Sequence, residues 1–142
     1  MTMPMDAKFV VGLAEMDSQH RCFFVLLEDV EEACAKHHDE GISILVGELV
    51  RYAVFHFASE EALMAAYSYP GEAHKAEHAK LLAQVQTLCA RKPPQASSLR
   101  LFLYNWIVNH IEIVDRELAT FVVKERARIR SNVGALLAAP KG

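Results

Sequence analysis

Chain-breaking residues are scarce in this sequence. Six Gly and five Pro make up about 8% of its 142 residues, against a usual combined share of roughly 12%. So few breakers mean few turns and long elements, which argues against many-stranded β folds. Cysteine is scarce as well: Cys22, Cys34 and Cys89 are too few, and odd in number, for a disulfide framework. They read instead as small buried hydrophobes. There is no excess of positive charge, since 18 acids face 15 bases for a net charge of -3, so a broad electrostatic footprint for nucleic acid is missing. No stretch approaches the ~18 uninterrupted apolar residues of a membrane span. Met1 to Val11 lacks the charged start and apolar run of a signal peptide. These absences lead to the expectation of a cytoplasmic protein with neither nucleic acid nor membrane among its partners. What is present, 52% hydrophobic residues with 23% charged, suits one domain with a real core and acting as a monomer.

The few breakers are clustered. Pro4 and Gly12 lie in an N-terminal arm, Gly41 follows Asp39-Glu40, Pro70-Gly71 follows Tyr69, Pro93-Pro94 follows Lys92, and Pro140 lies near the end. Between them run four long segments with apolar residues at helical spacing. The first begins near Asp17, an N-cap candidate, and aligns His20, Phe23, Phe24, Leu27, Val30 and Cys34. The second aligns Leu45, Leu49, Tyr52, His56, Glu60, Leu63 and Tyr67, and the third His74, His78, Leu81, Val85 and Leu88. The fourth opens at Ser97, another cap candidate, and aligns Leu99, Leu103, Trp106, His110, Ile113 and Phe121. Four helices joined by short turns pack antiparallel to their neighbours. The expected architecture is all-α, an up-down-up-down four-helix bundle with an N-terminal arm. It forms a single domain over 1–142, with the arm at 1–16, the bundle at about 17–131 and a tail at 132–142. Lys124, Arg126, Arg128 and Arg130 read as positive charge at a helix C-terminal end, and His37-His38 as residues closing the first helix.

The stripes carry polar residues where apolar ones belong. His20, His56, Glu60, His74, His78 and His110 all fall on inward faces, spread over all four helices. An unpaired buried polar group costs several kcal/mol, so a core holding this many must satisfy them together, which a metal does. His56-x-x-x-Glu60 and His74-x-x-x-His78 are i,i+4 pairs that point from one face. At ~1.5 Å per residue the histidines of all four helices come to the same end of the bundle. Five imidazoles with a carboxylate are too many donors for one tetrahedral zinc, so two ions are expected. Nitrogen-rich donors with bridging carboxylates suit iron, with zinc, cobalt or manganese as substitutes.

With these residues the chain resembles a bacterial hemerythrin from Phe9 to Phe121. Gly12, Asp17, Gln19 and His20 match the family's Gly-x-x-x-x-Asp-x-Gln-His segment. His56, Phe57, Glu60, Glu61 and Met64 match its His-Phe-x-x-Glu-Glu-x-x-Met. Tyr69, Pro70, His74 and His78 match its tyrosine-proline turn and His-x-x-x-His, and Trp106, His110, Ile111 and Asp115 its Trp-x-x-x-His-Ile-x-x-x-Asp. The resemblance implies a non-haem di-iron centre that binds O2 reversibly, for oxygen storage, delivery or sensing. It implies His74, His78 and His110 on one iron and His20 and His56 on the other. Glu60 and Asp115 would bridge the two irons, together with an oxide or hydroxide. It also implies an apolar O2 pocket at Phe23, Phe57, Trp106, Ile107, Ile111 and Ile113. The family's arm tryptophan, fifteen residues before the first histidine, is Met5 here.

Spacing and resemblance disagree at one position. Asp115, five residues after His110, lies about 140° round a regular helix, whereas Glu117 returns to line. The resemblance selects Asp115. Both hold if the helix widens into a π-type turn near residues 110–115, or if Asp115 reaches in from the edge of the stripe. Five neutral imidazoles with two carboxylates carry less anionic charge than carboxylate-rich oxygenase sites, which favours a carrier over an enzyme. The alternatives are a di-iron oxidase or peroxidase at the same site, and a zinc-stabilised or metal-free helical scaffold.

Overall fold

Two left-handed residues decide where the first two helices stop. In this computed structural model, which describes residues 7–90 and 96–140, helix α1 spans Ala14–Ala35 and α2 spans Asp39–Ala66. The side chains of Lys8, Leu88, Cys89 and residues 96–100 are outside the description, as are Pro4, Met5 and Pro93-Pro94. The expectations that fall on Met5, Leu88, Cys89, Ser97 and Leu99 therefore lie outside the described residues. His37 (φ 51°) follows α1 and Ser68 (φ 54°) follows α2. After each, the chain folds back in a Schellman pair: His38 and Tyr69 donate to the carbonyls of Ala33 and Met64, and His37 and Ser68 to those of Cys34 and Ala65. Pro70 then blocks continuation of α2. His38 departs from its expected place at the end of α1. Its Nδ1 accepts a 2.8 Å bond from the Gly41 N–H and caps the start of α2.

Helix α3 spans Glu72–Cys89 and α4 spans Ala96–Asn109. A π-helical turn at His110–Asp115 joins α4 to α5, which spans Arg116–Ala138, so the fourth rod is continuous. α1 packs against α2 and α4, and α3 against the same two helices, which closes the bundle. Phe23, Leu27, Leu49, Phe57, Leu81, Leu103, Ile107 and Leu118 fill its core. By length and composition α2 could cross a bilayer, but it holds His56 and Glu60 inside the bundle and packs on two neighbours, the position of a core helix.

Three local expectations change. The N-cap of α1 is Leu13, not Asp17. Asp17 lies one turn inside the helix and reaches back to accept from the N–H groups of Val11 (2.7 Å) and Gly12 (3.2 Å). Gly12 adopts φ 89°, which permits that return. The basic residues Lys124 to Arg130 do not end a helix, since α5 runs on to Ala138 through residues placed in the tail. Arg126 instead ties α5 to Glu15 and to the Tyr67 hydroxyl, and Arg128 pairs with Glu125. Cys22 is exposed and Cys34 half-buried, so neither is a fully buried hydrophobe.

Candidate metal centre

Every helix of the bundle contributes donors to one centre. α1 supplies His20, α2 supplies His56 and Glu60 one turn apart, α3 supplies His74 and His78 one turn apart, and the fourth rod supplies His110 and Asp115. All seven side chains are buried, none more than 4% exposed. The Nε2 atoms converge on the two carboxylates. Glu60 lies 2.5 Å from His56, 3.2 Å from His74 and 3.8 Å from His78. Asp115 lies 2.9 Å from His20, 3.1 Å from His74 and 2.9 Å from His110. The donors form two overlapping groups, His74-His78-His110 and His20-His56, and both include Glu60 and Asp115.

The π turn brings Asp115 inward. An i→i+5 turn absorbs one extra residue, so the inward stripe slips by one position along the rod. Asp115 becomes fully buried, and Leu118, Ala119 and Val122 continue its stripe. Glu117 is exposed and lines a surface cleft with Tyr69 and Lys124. The same slip overturns the placement of Ile113 in an O2 pocket. A regular helix would hold it in line with His110, but within the widened turn it points to solvent at 61% exposure. Arg116 fastens the turn, donating to the carbonyls of Glu112 and of Val10 in the arm.

Aromatic rings enclose the donors. Phe57 stacks on His78 with centroids 3.9 Å apart, and Trp106 stacks on His110 at 4.2 Å. Phe57 meets Trp106 edge-on, as Phe23 meets His56. Phe23, Trp106 and Ile107 also line a cavity of about 20 Å³ with Ala53, Leu81 and Leu103, whose walls carry only apolar side chains. That volume exceeds the one-probe minimum of roughly 10–15 Å³ for a single small molecule. Phe57 and Ile111 are buried but lie outside its walls.

One polar layer beyond the donors gave no sign of its role in the spacing. Gln19 Oε1 lies 2.6 Å from His56 Nδ1, its Nε2 donates to Ser59 Oγ at 3.1 Å, and its backbone carbonyl accepts from the Tyr52 hydroxyl at 3.2 Å. The sequence signals were an amide directly before a donor histidine and the place of that amide in the family's entry segment. Ser59 and Tyr52 join it only once α1 and α2 pack.

The electrostatics are those of a cluster missing positive charge. Burial pushes the Glu60 carboxyl up to about 8, and the Asp115 charge adds to this. Burial also opposes ionisation of Asp115, but His110, His20 and His74 overcome it and hold the carboxyl well below its usual range. Burial lowers His56 to about 4 and His78 to about 3, which keeps both neutral. For His74 burial is outweighed by hydrogen bonds that its ring donates to Asp115 and Glu60, which raise it to about 9. His74 Nε2 and His78 Nε2 each lie 3.2 Å from His110 Nε2. The Nε2 atoms of these three rings converge on one point, the arrangement that a cation held by all three would need. The oxygens of Glu60 and of Asp115 and Nε2 of His20 are fully buried, and among the described residues only the other donors of the centre lie close to them. Such buried groups are costly to leave unpaired, and this set of nitrogen and carboxylate donors fits a pair of iron ions.

A family model described as the Hemerythrin HHE cation binding domain matches residues 11–122. A bacteriohemerythrin of Methylococcus capsulatus is 32% identical over 117 residues, covering 78% of this chain and 88% of that protein. A myohemerythrin of Riftia pachyptila is 30% identical over 111 residues, covering 78% and 85%. A crystal structure of wild-type hemerythrin superposes with a TM-score of 0.77 at 29% identity, covering 86% of this chain and 98% of that one.

Proposed function

The chain belongs to the hemerythrin family, and from that premise we propose that it binds O2 reversibly at a di-iron centre, for oxygen storage, delivery or sensing. The observation that carries this reading is the pair of overlapping donor groups that share Glu60 and Asp115. His74, His78 and His110 would hold one iron and His20 and His56 the other, with Glu60 and Asp115 within reach of both. When bound, the iron pair supplies the electrons that reversible O2 binding requires. The protein supplies the rest. Its two carboxylates offset part of the metal charge, and Phe57 and Trp106 shut water away from the imidazoles on which they stack. With one imidazole fewer, the His20–His56 side has more room for a small ligand.

A carrier also needs an unreactive route for an apolar gas. The cavity beside Phe23, Trp106 and Ile107 has no polar side chain in its wall, so no acid is placed there to assist O–O cleavage. This favours a carrier over an oxidase or peroxidase. The same reading takes the chain as a cytoplasmic monomer, which sedimentation of the loaded protein checks. The deciding experiment is an absorption spectrum of iron-loaded protein under argon, in air and after deoxygenation. Near-ultraviolet and visible bands that appear and vanish reversibly support the carrier. Irreversible bleaching with turnover of an added substrate supports the oxidase.

A further inference from the structure

Among the five imidazoles of the centre, His56 is set apart. The Nδ1 atoms of His20, His74, His78 and His110 are buried and meet no hydrogen-bond partner among the described residues. His56 Nδ1 alone meets one, Gln19 Oε1, at 2.6 Å. We propose that Gln19 is a positioning residue that fixes the tautomer and ring orientation of His56, and so the metal affinity of the His20–His56 side. This rests on the di-iron reading above.

The argument is one of donors and acceptors. An amide has a carbonyl end that only accepts and an NH2 end that only donates. Nε2 of His56 faces the centre, so ligation there leaves the ring proton on Nδ1, and Gln19 meets it with its accepting carbonyl end while the NH2 end donates to Ser59 Oγ. A carbonyl oxygen requires a donor, and therefore Nδ1 of His56 carries the proton. That leaves the lone pair on Nε2, the atom that points at Glu60 and the centre. The flipped amide would do the opposite: its NH2 would face Nδ1, move the proton to Nε2 and block ligation. Ser59, which accepts from the NH2 end, anchors the amide in place. The Tyr52 hydroxyl, bonded to the Gln19 carbonyl, holds the backbone from which the side chain reaches. Because Gln19 directly precedes His20, one helical step of α1 places a donor and also orients the other imidazole of the same side.

A metal-bound histidine whose outer hydrogen bond is removed typically loses about 10- to 100-fold in metal affinity or activity. The loss here should fall on one side of the pair. The test titrates Fe(II) anaerobically into wild-type, Gln19→Leu, Gln19→Glu and Ser59→Ala proteins, and records imidazole 15N spectra of the zinc-loaded forms. Wild type takes two ions and shows a protonated His56 Nδ1. Gln19→Leu takes the first ion as wild type does and the second about 10- to 100-fold more weakly, and loses that Nδ1 proton signal. Gln19→Glu, whose carboxylate accepts at either oxygen, restores both. Ser59→Ala falls between them, and reports on the relay even if Gln19→Leu fails to fold. Two equal ions and an unchanged Nδ1 signal in both Gln19→Leu and Ser59→Ala would overturn the proposal and leave the di-iron reading standing. A single ion in wild type would overturn the di-iron reading itself.

Discussion

The two sides of the centre are stiffened by different means. On the His74–His78–His110 side, two of the three rings lie flat against aromatic partners, Phe57 and Trp106, and the three Nε2 atoms crowd together. On the His20–His56 side the two rings meet edge-on with centroids 5.0 Å apart, and orientation comes from the Gln19 hydrogen bond. Stacking fixes a ring plane without choosing which nitrogen carries the proton, whereas a hydrogen bond chooses both. Three converging imidazoles constrain one another and need less external direction. Two do not, and there the protein adds a polar relay. The general lesson is that the number of donors on a side decides how much outer support it needs.

The comparison can be broken most severely at what the sides share. Asp115→Ala should abolish the paired-iron spectrum and leave fewer than two ions per chain, while Glu117→Gln leaves the spectrum intact. Iron analysis with absorption spectroscopy reads both, and the reverse pattern would place the bridge at Glu117. Next in size are the imidazoles. His110→Ala should lose most bound iron and lower the melting temperature, because part of the metal-binding free energy is folding free energy. His20→Ala should hold close to one ion per chain. His37→Ala, at an exposed left-handed turn position, should leave iron content unchanged and cost on the order of 1 kcal/mol in stability. Equal losses from His20→Ala and His110→Ala would mean the sides are not independent.

Two smaller effects sharpen the contrast. Trp106→Ala removes the ring stacked on His110 and a cavity wall, so autoxidation should quicken severalfold while both ions stay bound. An unchanged lifetime of the O2-bound form would assign Trp106 to the core alone. The last effect is a pH dependence. Glu60 is raised from 4.5 to about 8 and His74 from 6.5 to about 9, so between pH 6.5 and 9 the folded metal-free chain holds more protons than the unfolded one. Stability of the metal-free protein should therefore fall as pH rises through that window. His56 and His78, both lowered, contribute only near and below 6.5. In the loaded protein these donors are already deprotonated, so the gap in melting temperature between loaded and metal-free forms should widen from pH 6.5 to 9. A constant gap would show that His74 and Glu60 do not carry the extra protons.

Most of the bundle was legible before any coordinates. Apolar residues repeating every three to four positions can be buried only on one helix face, and the scarcity of Gly and Pro leaves few places to turn. The i,i+4 pairs His56–Glu60 and His74–His78 likewise could meet only on a helix. The misreadings share one cause, which is that periodicity reports an average of 3.6 residues per turn and neglects what neighbouring segments require. Ile113 kept that average and was placed inward. Asp17 looked like a cap because the loop whose N–H groups it satisfies lies behind it. His38 looked like the end of one helix when it begins the next.

The sequence by itself determined which residues could ligate, through their types and their place on a helix face. The tertiary structure decided which of them do meet. A widened turn sacrifices regular i→i+4 bonds, so no local preference requires it. At His110–Asp115 it brings the Asp115 carboxylate among His110 of the same turn, His20 of α1 and His74 of α3. The Gln19 relay is decided in the same way, since its anchor, Ser59, lies forty residues away in the chain and reaches it only once α1 and α2 are packed.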